Sequence, residues 1–138
     1  MDNSVTLTGD VTRAPEVRFT QSGTPVAGFG LAVNRYRGPD KESEVSFFDV
    51  TVWQEQAENV MSSLDKGDRV VVTGRLEQQN WEAEDGTKRS TIKVIAHEVG
   101  PSLRWAECKP VRNEKKGVRS GDKNTNNDPF VGSADDDF

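Results

Sequence analysis

The chain has 138 residues, a net charge of −5 and only 33% hydrophobic residues, which suits one small domain followed by a segment too polar to fold. We expect no signal peptide and no membrane span, and the single cysteine, Cys108, excludes an intramolecular disulfide and fits a reducing cytoplasm. The negative net charge argues against a nucleic-acid partner globally, although a local basic track could still bind phosphates.

The first third of the chain alternates between apolar and polar side chains, which is the pattern of half-buried β-strands. Residues 4–20 predict one long bent strand or two short ones, because Arg13-Ala14-Pro15 interrupts the alternation. Residues 21–25 predict a turn, and residues 26–33 predict a second strand. Gly28 and Gly30 in that strand suit a close approach at the corner of a small barrel.

Residues 45–53 predict a third strand with two unlike faces. One face is wholly apolar and is expected to join the core. The opposite face consists of Phe47, Asp49, Thr51 and Trp53. Aromatic rings on the wet face of a sheet suit the stacking of unpaired nucleic-acid bases. The carboxylate of Asp49 does not fit this interpretation, because it should repel a phosphate backbone.

The second half of the domain contains the only convincing helix. Apolar residues recur at helical spacing from Ala57 to Leu64, and a glycine at position 67 stops the pattern after about three turns. Residues 68–81 and 89–99 predict the fourth and fifth strands, joined by a hairpin loop with an Asp85-Gly86 turn. The residues expected in the core are Phe19, Phe29, Phe48 and Leu76.

Three strands, one helix and two further strands follow the order of an OB-fold, a five-stranded Greek-key barrel. We therefore expect an all-β domain over residues 1–108 with one short helix. Residues 109–134 have almost no apolar content and predict a disordered linker. Residues 135–138 form an acidic tip that ends in an aromatic ring.

Several segments resemble, in the same order, the bacterial-type single-stranded DNA-binding proteins. They are Gly9–Phe19, Val72–Leu76 and Asp85–Arg89, together with Ala57–Val60 and Gly100–Ala106, which look most like actinobacterial members. The resemblance covers about residues 3–108 and returns at the final four residues. No single motif is decisive, and the resemblance is specific because several segments match in the same order.

The resemblance implies sequence-independent binding and protection of single-stranded DNA in replication, recombination and repair, by a cytoplasmic, nucleoid-associated homotetramer. The positions that match the family's stacking rings are Tyr36, Phe47, Trp53 and Trp81. Residues 100–109 would clamp neighbouring subunits. The tip would dock replication and repair proteins through Asp135, Asp136, Asp137 and Phe138, although it lacks the proline that usually precedes the terminal Phe.

Basic residues are spread over the predicted strands and loops. The candidates for phosphate contacts are Arg13, Arg18, Arg35, Arg37, Arg75, Lys88, Arg89 and Lys93. An ordinary solvated surface is an equally good interpretation of any one of them. The better local case is the Arg35-Tyr36-Arg37 stretch, where basic and aromatic groups interleave.

Few residues of the sequence support a catalytic function. The single histidine, His97, and the single cysteine have no metal-ligand spacing, and Gly28-Phe29-Gly30 is not followed by a helix. We expect no enzyme activity, no cofactor and no metal. Trp105 lies outside the predicted barrel and is expected at a subunit interface or in packing. Two alternatives stay open, namely a primosome-type OB-fold adaptor for other proteins and an RNA-binding module.

Overall fold

The computed structural model describes residues 1–36, 38–39 and 43–114. The chain divides into two units, Met1–Cys108 and Lys109–Phe138. The predicted acidic tip and all but the first residues of the predicted linker lie outside the described residues, so both stay predictions. No helix in the described ranges is long and apolar enough to cross a membrane.

Among its described residues, the first unit contains six strands and one helix in the order predicted. The elements are β1 (Val5–Val11), β2 (Glu16–Phe19), β3 (Pro25–Arg35), β4 (Glu44–Trp53), α1 (Glu55–Ser63), β5 (Arg69–Glu82) and β6 (Lys88–Pro101). The long first strand is therefore two short ones, separated by the segment that contains Pro15.

Five of the strands close into a ring. β1 pairs with both β5 and β3, β6 lies between β5 and β4, and β4 pairs with β3. All pairings are antiparallel except that of β4 with β6, which is parallel. β2 adds to the free edge of β3. The ring and the short helix α1 confirm the predicted all-β OB-fold barrel.

The core fills the barrel and continues under α1. Its largest fully buried side chains are Phe29, Leu31, Val11, Val50, Val52, Val70, Val72 and Val94. Ala57, Val60 and Leu64 on and beside the helix are also buried, so the helix closes the barrel with one face. The Gln56 side chain donates a hydrogen bond to the His97 carbonyl and accepts one from the Val99 N–H, at 3.1 and 2.9 Å.

The prediction of a core position is wrong for two of the four residues, Phe19 and Leu76. Phe19 is 61% exposed, because it pairs with Pro25 at the outer end of β2, beyond the last pair of β3 with β4. Leu76 is 38% exposed, because β1 ends where Val5 meets Gly74 and leaves the next part of β5 uncovered. Phe29 is fully buried as predicted, and Phe48 is half-buried against the core.

Two strands approach each other closely at Gly74. A register shift falls between Thr73 and Gly74, and a Cβ built on Gly74 would lie 2.9 Å from the Ala96 Cα and against the Ile95 carbonyl. Gly9 meets the Ala32 carbonyl in the same way, where β1 crosses to β3. Neither glycine was predicted to lie at a corner of the barrel. Because glycine has no side chain, both positions let two strand backbones approach each other where the barrel turns a corner.

Replacing Gly74 with alanine should lower the free energy of unfolding by at least about 2 kcal/mol, because the added methyl group overlaps the β6 backbone. Gly28→Ala is the matched control, since a Cβ there would lie 3.8 Å from its nearest neighbour, the Val50 carbonyl oxygen. Unfolding in urea measures both variants. Equal stability of the two would contradict the close approach at Gly74.

Candidate nucleic-acid interface

β4 separates the interior of the barrel from its outer surface. Val50 and Val52 are buried, whereas Phe47 on the opposite face is 72% exposed and Trp53 is 42% exposed. The two rings are six residues apart on one strand, which places their Cα atoms about 20 Å from each other. The predicted dry and wet faces of this strand are thus present. We call the outer side of the barrel around β4 the outer face.

Trp53 has a basic neighbour across the sheet. It pairs with Val26 of β3, and Val26 in turn pairs with Arg18 of β2. Because directly paired residues share a face, Arg18 and Trp53 project from the same side, two strand spacings or about 10 Å apart at the backbone. The structure therefore brings one predicted phosphate contact beside one predicted stacking ring.

Asp49 makes an ion pair with Arg13 and has a second basic residue, Lys93, as a backbone partner. Its carboxylate is 3.6 Å from Nη2 of Arg13, and in the parallel register it is paired with Lys93 of β6. The Arg13 side chain passes over Gly30, which is the partner of Asp49 in β3, and a Cβ on Gly30 would come within 2.7 Å of the guanidinium. The negative charge that did not fit the sequence interpretation is thus neutralised locally.

The hairpin of β5 and β6 carries the third ring. Trp81 is 49% exposed and pairs directly with Arg89, so the indole and the guanidinium share a face. Arg75 lies on the same side of β5 and makes a 3.3 Å ion pair with Glu77. Lys88 instead pairs with Glu82 and so projects from the opposite side of the hairpin.

Hydrogen bonds hold the tip of this hairpin in a defined turn. The Ala83 N–H donates to the Thr87 carbonyl at 2.8 Å, and the Gly86 N–H donates to the Ala83 carbonyl at 2.9 Å. Hydrogen bonds from the Thr87 side chain and backbone N–H lower the pKa of the exposed Asp85 carboxyl. The predicted Asp-Gly turn therefore gives Trp81 an ordered support.

Three further predicted site residues are the last residue of β3 and the two residues that follow it. Tyr36 follows the strand and is exposed. Arg35 makes an ion pair with Glu44, and by alternation these two project from the face that carries Phe48 rather than Phe47. Arg37 lies outside the described residues. Arg35, the first residue of the interleaved stretch, is thus not on the side of the other rings.

A basic cluster at Trp105 was not predicted from the sequence. The Cζ atoms of Arg69 and Arg104 lie 4.8 and 5.2 Å from the centroid of its ring system. The ring is 71% exposed in this chain. Arg104 is adjacent to it in sequence and could have been noticed, whereas Arg69 reaches it only through the fold.

The described residues contain no group of three or more His, Cys, Asp or Glu side chains that could hold a metal ion. What the outer face offers a ligand is flat aromatic surface and positive charge. Such a surface suits a ligand polymer that combines planar rings with phosphates.

Comparisons with known proteins agree with this chemistry. A family model described as the single-strand binding protein family matches residues 2–102. A single-stranded DNA-binding protein of Mycolicibacterium smegmatis is 42% identical over 121 residues, which cover 84% of this chain and 73% of that protein. One of Corynebacterium glutamicum is 44% identical over the same length, covering 84% of this chain and 54% of that protein.

Solved structures point the same way. The crystal structure of a small single-stranded DNA-binding protein from Streptomyces coelicolor superposes with a TM-score of 0.65 and 29% identity, covering 75% of this chain and 96% of that one. The relatives are actinobacterial, as the sequence resemblance indicated. On these matches, the chain belongs to the single-strand binding protein family.

Proposed function

We propose that this protein binds single-stranded DNA without sequence preference, on the outer face of its barrel. The observation that carries the proposal is the set of three exposed rings, Phe47, Trp53 and Trp81, on a surface that also presents arginine and lysine side chains. Stacking on such rings tolerates any base, because every base has a π-face.

The charges of the outer face support phosphate binding despite the acidic composition. Among the described residues, no carboxylate lies within ion-pair distance of Arg18 or Arg89, which flank Trp53 and Trp81. Arg13 and Arg75 have carboxylate partners, at 3.6 and 3.3 Å. Exposed pairs of this kind contribute about 0–1 kcal/mol, so a phosphate replaces the carboxylate at small cost.

Lys88 and Arg35 contribute less directly in this proposal. Both project from the side opposite to the nearest outer-face ring, and Arg35 is paired with Glu44. They act on a bound strand through longer-range attraction, which salt screens. Tyr36 serves as a stacking position at the edge of the surface, and Arg37 beside it as a phosphate contact.

The cellular role follows from the resemblance to the family. The protein would protect unwound DNA during replication, recombination and repair, as a cytoplasmic, nucleoid-associated homotetramer. In this proposal, residues 100–109 clamp neighbouring subunits. The tip, Asp135–Phe138, recruits replication and repair proteins through its charges and its terminal ring, and residues 109–134 link it to the barrel.

Trp53→Ala and Trp81→Ala should each weaken oligo-dT binding more than tenfold at fixed salt, because a stacked base contributes about 1–3 kcal/mol. Fluorescence anisotropy of a labelled oligonucleotide measures the affinity. Trp53→Phe and Trp81→Phe keep a ring at each position and should retain most of the binding. Met61→Ala is the matched control, since Met61 is equally exposed but lies on the helix.

Unchanged affinity in both folded alanine variants would show that neither ring contributes to DNA binding. Competition with oligo-U under the same conditions distinguishes the RNA-binding alternative, in which oligo-U displaces oligo-dT at equal or lower concentration. No binding of either oligonucleotide at low salt would favour the protein adaptor.

Deleting residues 135–138 should leave oligo-dT affinity unchanged or slightly raised, because three carboxylates that compete with phosphates are lost. The same deletion should abolish capture of replication and repair proteins on a column of the immobilised protein. Phe138→Ala separates the ring from the charges. A large loss of DNA affinity on deletion would contradict this division of roles.

A further inference from the structure

We propose that Asp49 gives the outer face a base preference, because its carboxylate accepts a hydrogen bond from the amino group of a base that stacks on Phe47. The inference rests on the proposed single-stranded DNA binding and adds one position of preference to it. The residues that carry it are Arg13, Gly30, Phe47 and Asp49. None of them belongs to residues 100–109, the proposed contact between subunits.

Asp49 lies in line with the two rings of β4. It is two residues from Phe47 and four from Trp53, so all three side chains project from one face. The Cα atoms of the two rings are about 7 and about 13 Å from that of Asp49. Ala32, the β3 partner of Phe47, offers no polar side-chain atom. A base stacked on Phe47 therefore has a carboxylate beside it on the same strand.

The contact with Arg13 leaves this carboxylate able to accept hydrogen bonds. Oδ1 of Asp49 is 3.6 Å from Nη2 of Arg13, which is an ion-pair distance but too long for a hydrogen bond. An ionised carboxylate has about four acceptor sites on its two oxygens. The cation thus neutralises Asp49 without occupying an acceptor site.

The fold holds Arg13 beside Asp49 and within reach of a bound strand. Gly30 is the β3 partner of Asp49, and the Thr12 N–H donates a 2.9 Å hydrogen bond to the Gly30 carbonyl. A Cβ on Gly30 would lie 2.7 Å from Nη1 of Arg13, so the absence of a side chain there lets the arginine lie across β3. The guanidinium is therefore positioned next to the carboxylate before DNA binds.

Binding of a phosphate changes the partners of Asp49. When the phosphate takes the Arg13 guanidinium, the carboxylate loses its cation and needs another donor. The donors that a single strand offers are the amino and imino groups of its bases. Cytosine, adenine and guanine carry an amino group at the Watson–Crick edge, and carboxylates accept hydrogen bonds from the cytosine amino group. Thymine and uracil present carbonyl oxygens on both sides of their one N–H, and these oxygens repel a carboxylate.

Oligonucleotides of deoxycytidine and deoxyuridine are the probes, because their bases have the same ring and differ only at this edge. Oligomers of about 8 nucleotides fit one OB-fold. Fluorescence anisotropy at fixed salt and slightly alkaline pH, which keeps cytosine uncharged, measures the affinities. We expect the native protein to prefer oligo-dC. Asp49→Asn should lower the ratio of the dC to the dU affinity about fivefold, because the amide rotates to serve either base.

Glu77→Gln is the matched control. Glu77 is a second carboxylate on the outer side of the barrel, on β5, and it also makes an ion pair with an arginine, Arg75, at 3.3 Å. The substitution removes the same charge as Asp49→Asn but away from Phe47. It should strengthen binding of both oligonucleotides alike and leave their ratio unchanged.

A ratio that Asp49→Asn leaves unchanged would overturn the proposal alone. Affinities that rise together would indicate lost repulsion, and affinities that fall together would indicate that Asp49 only orients Arg13. A ratio that falls equally in Glu77→Gln would overturn it too, since the preference would then depend on charge and not on position. If the native protein binds neither oligonucleotide nor oligo-dT at low salt, the proposed function fails with it.

Discussion

The pairing of β4 with β3 on one side and β6 on the other is the constraint on which the rest of the structure depends. It closes the ring of five strands, and it makes one face of β4 part of the core. The period of two then forces the alternate residues outward, because a strand cannot rotate without exposing Val50 and Val52. The exposure of Phe47 and Trp53 is therefore a consequence of the burial of their neighbours.

Local pairing of charges reconciles an acidic chain with an anionic ligand. Asp49 makes an ion pair with Arg13, and Asp10 makes one with Arg69. Each of these two carboxylates thus has a cation within ion-pair distance. Since such exposed pairs are weak and screened by salt, the cations stay available to a phosphate backbone. Net charge describes solubility better than it describes this surface.

Much of the fold could be predicted from the sequence because alternation and turn residues are local signals. The order of elements and the two faces of β4 followed from them. Alternation does not say where a covering strand ends, which is why Phe19 and Leu76 were placed in the core although they are exposed. The corner at Gly74 was missed for a related reason, since its cause is the backbone of β6.

The candidate site was predicted only in part. The rings are visible in the sequence because large apolar residues on a polar face are unusual. Their partners are not, because Arg13 reaches Asp49 and Arg69 reaches Trp105 only after the barrel closes. Neighbours in sequence can also lie apart in the fold. Lys88 is one residue from Arg89 and yet projects from the other side of the hairpin.

The central claim is that the exposed tryptophans stack on the bases of single-stranded DNA. Titration of the native protein with oligo-dT, followed by intrinsic tryptophan fluorescence, tests it most directly, because a stacked base quenches the indole on which it lies. We expect deep quenching that saturates as the sites fill and is reversed by salt. Emission that stays unchanged throughout the titration at low salt would contradict it.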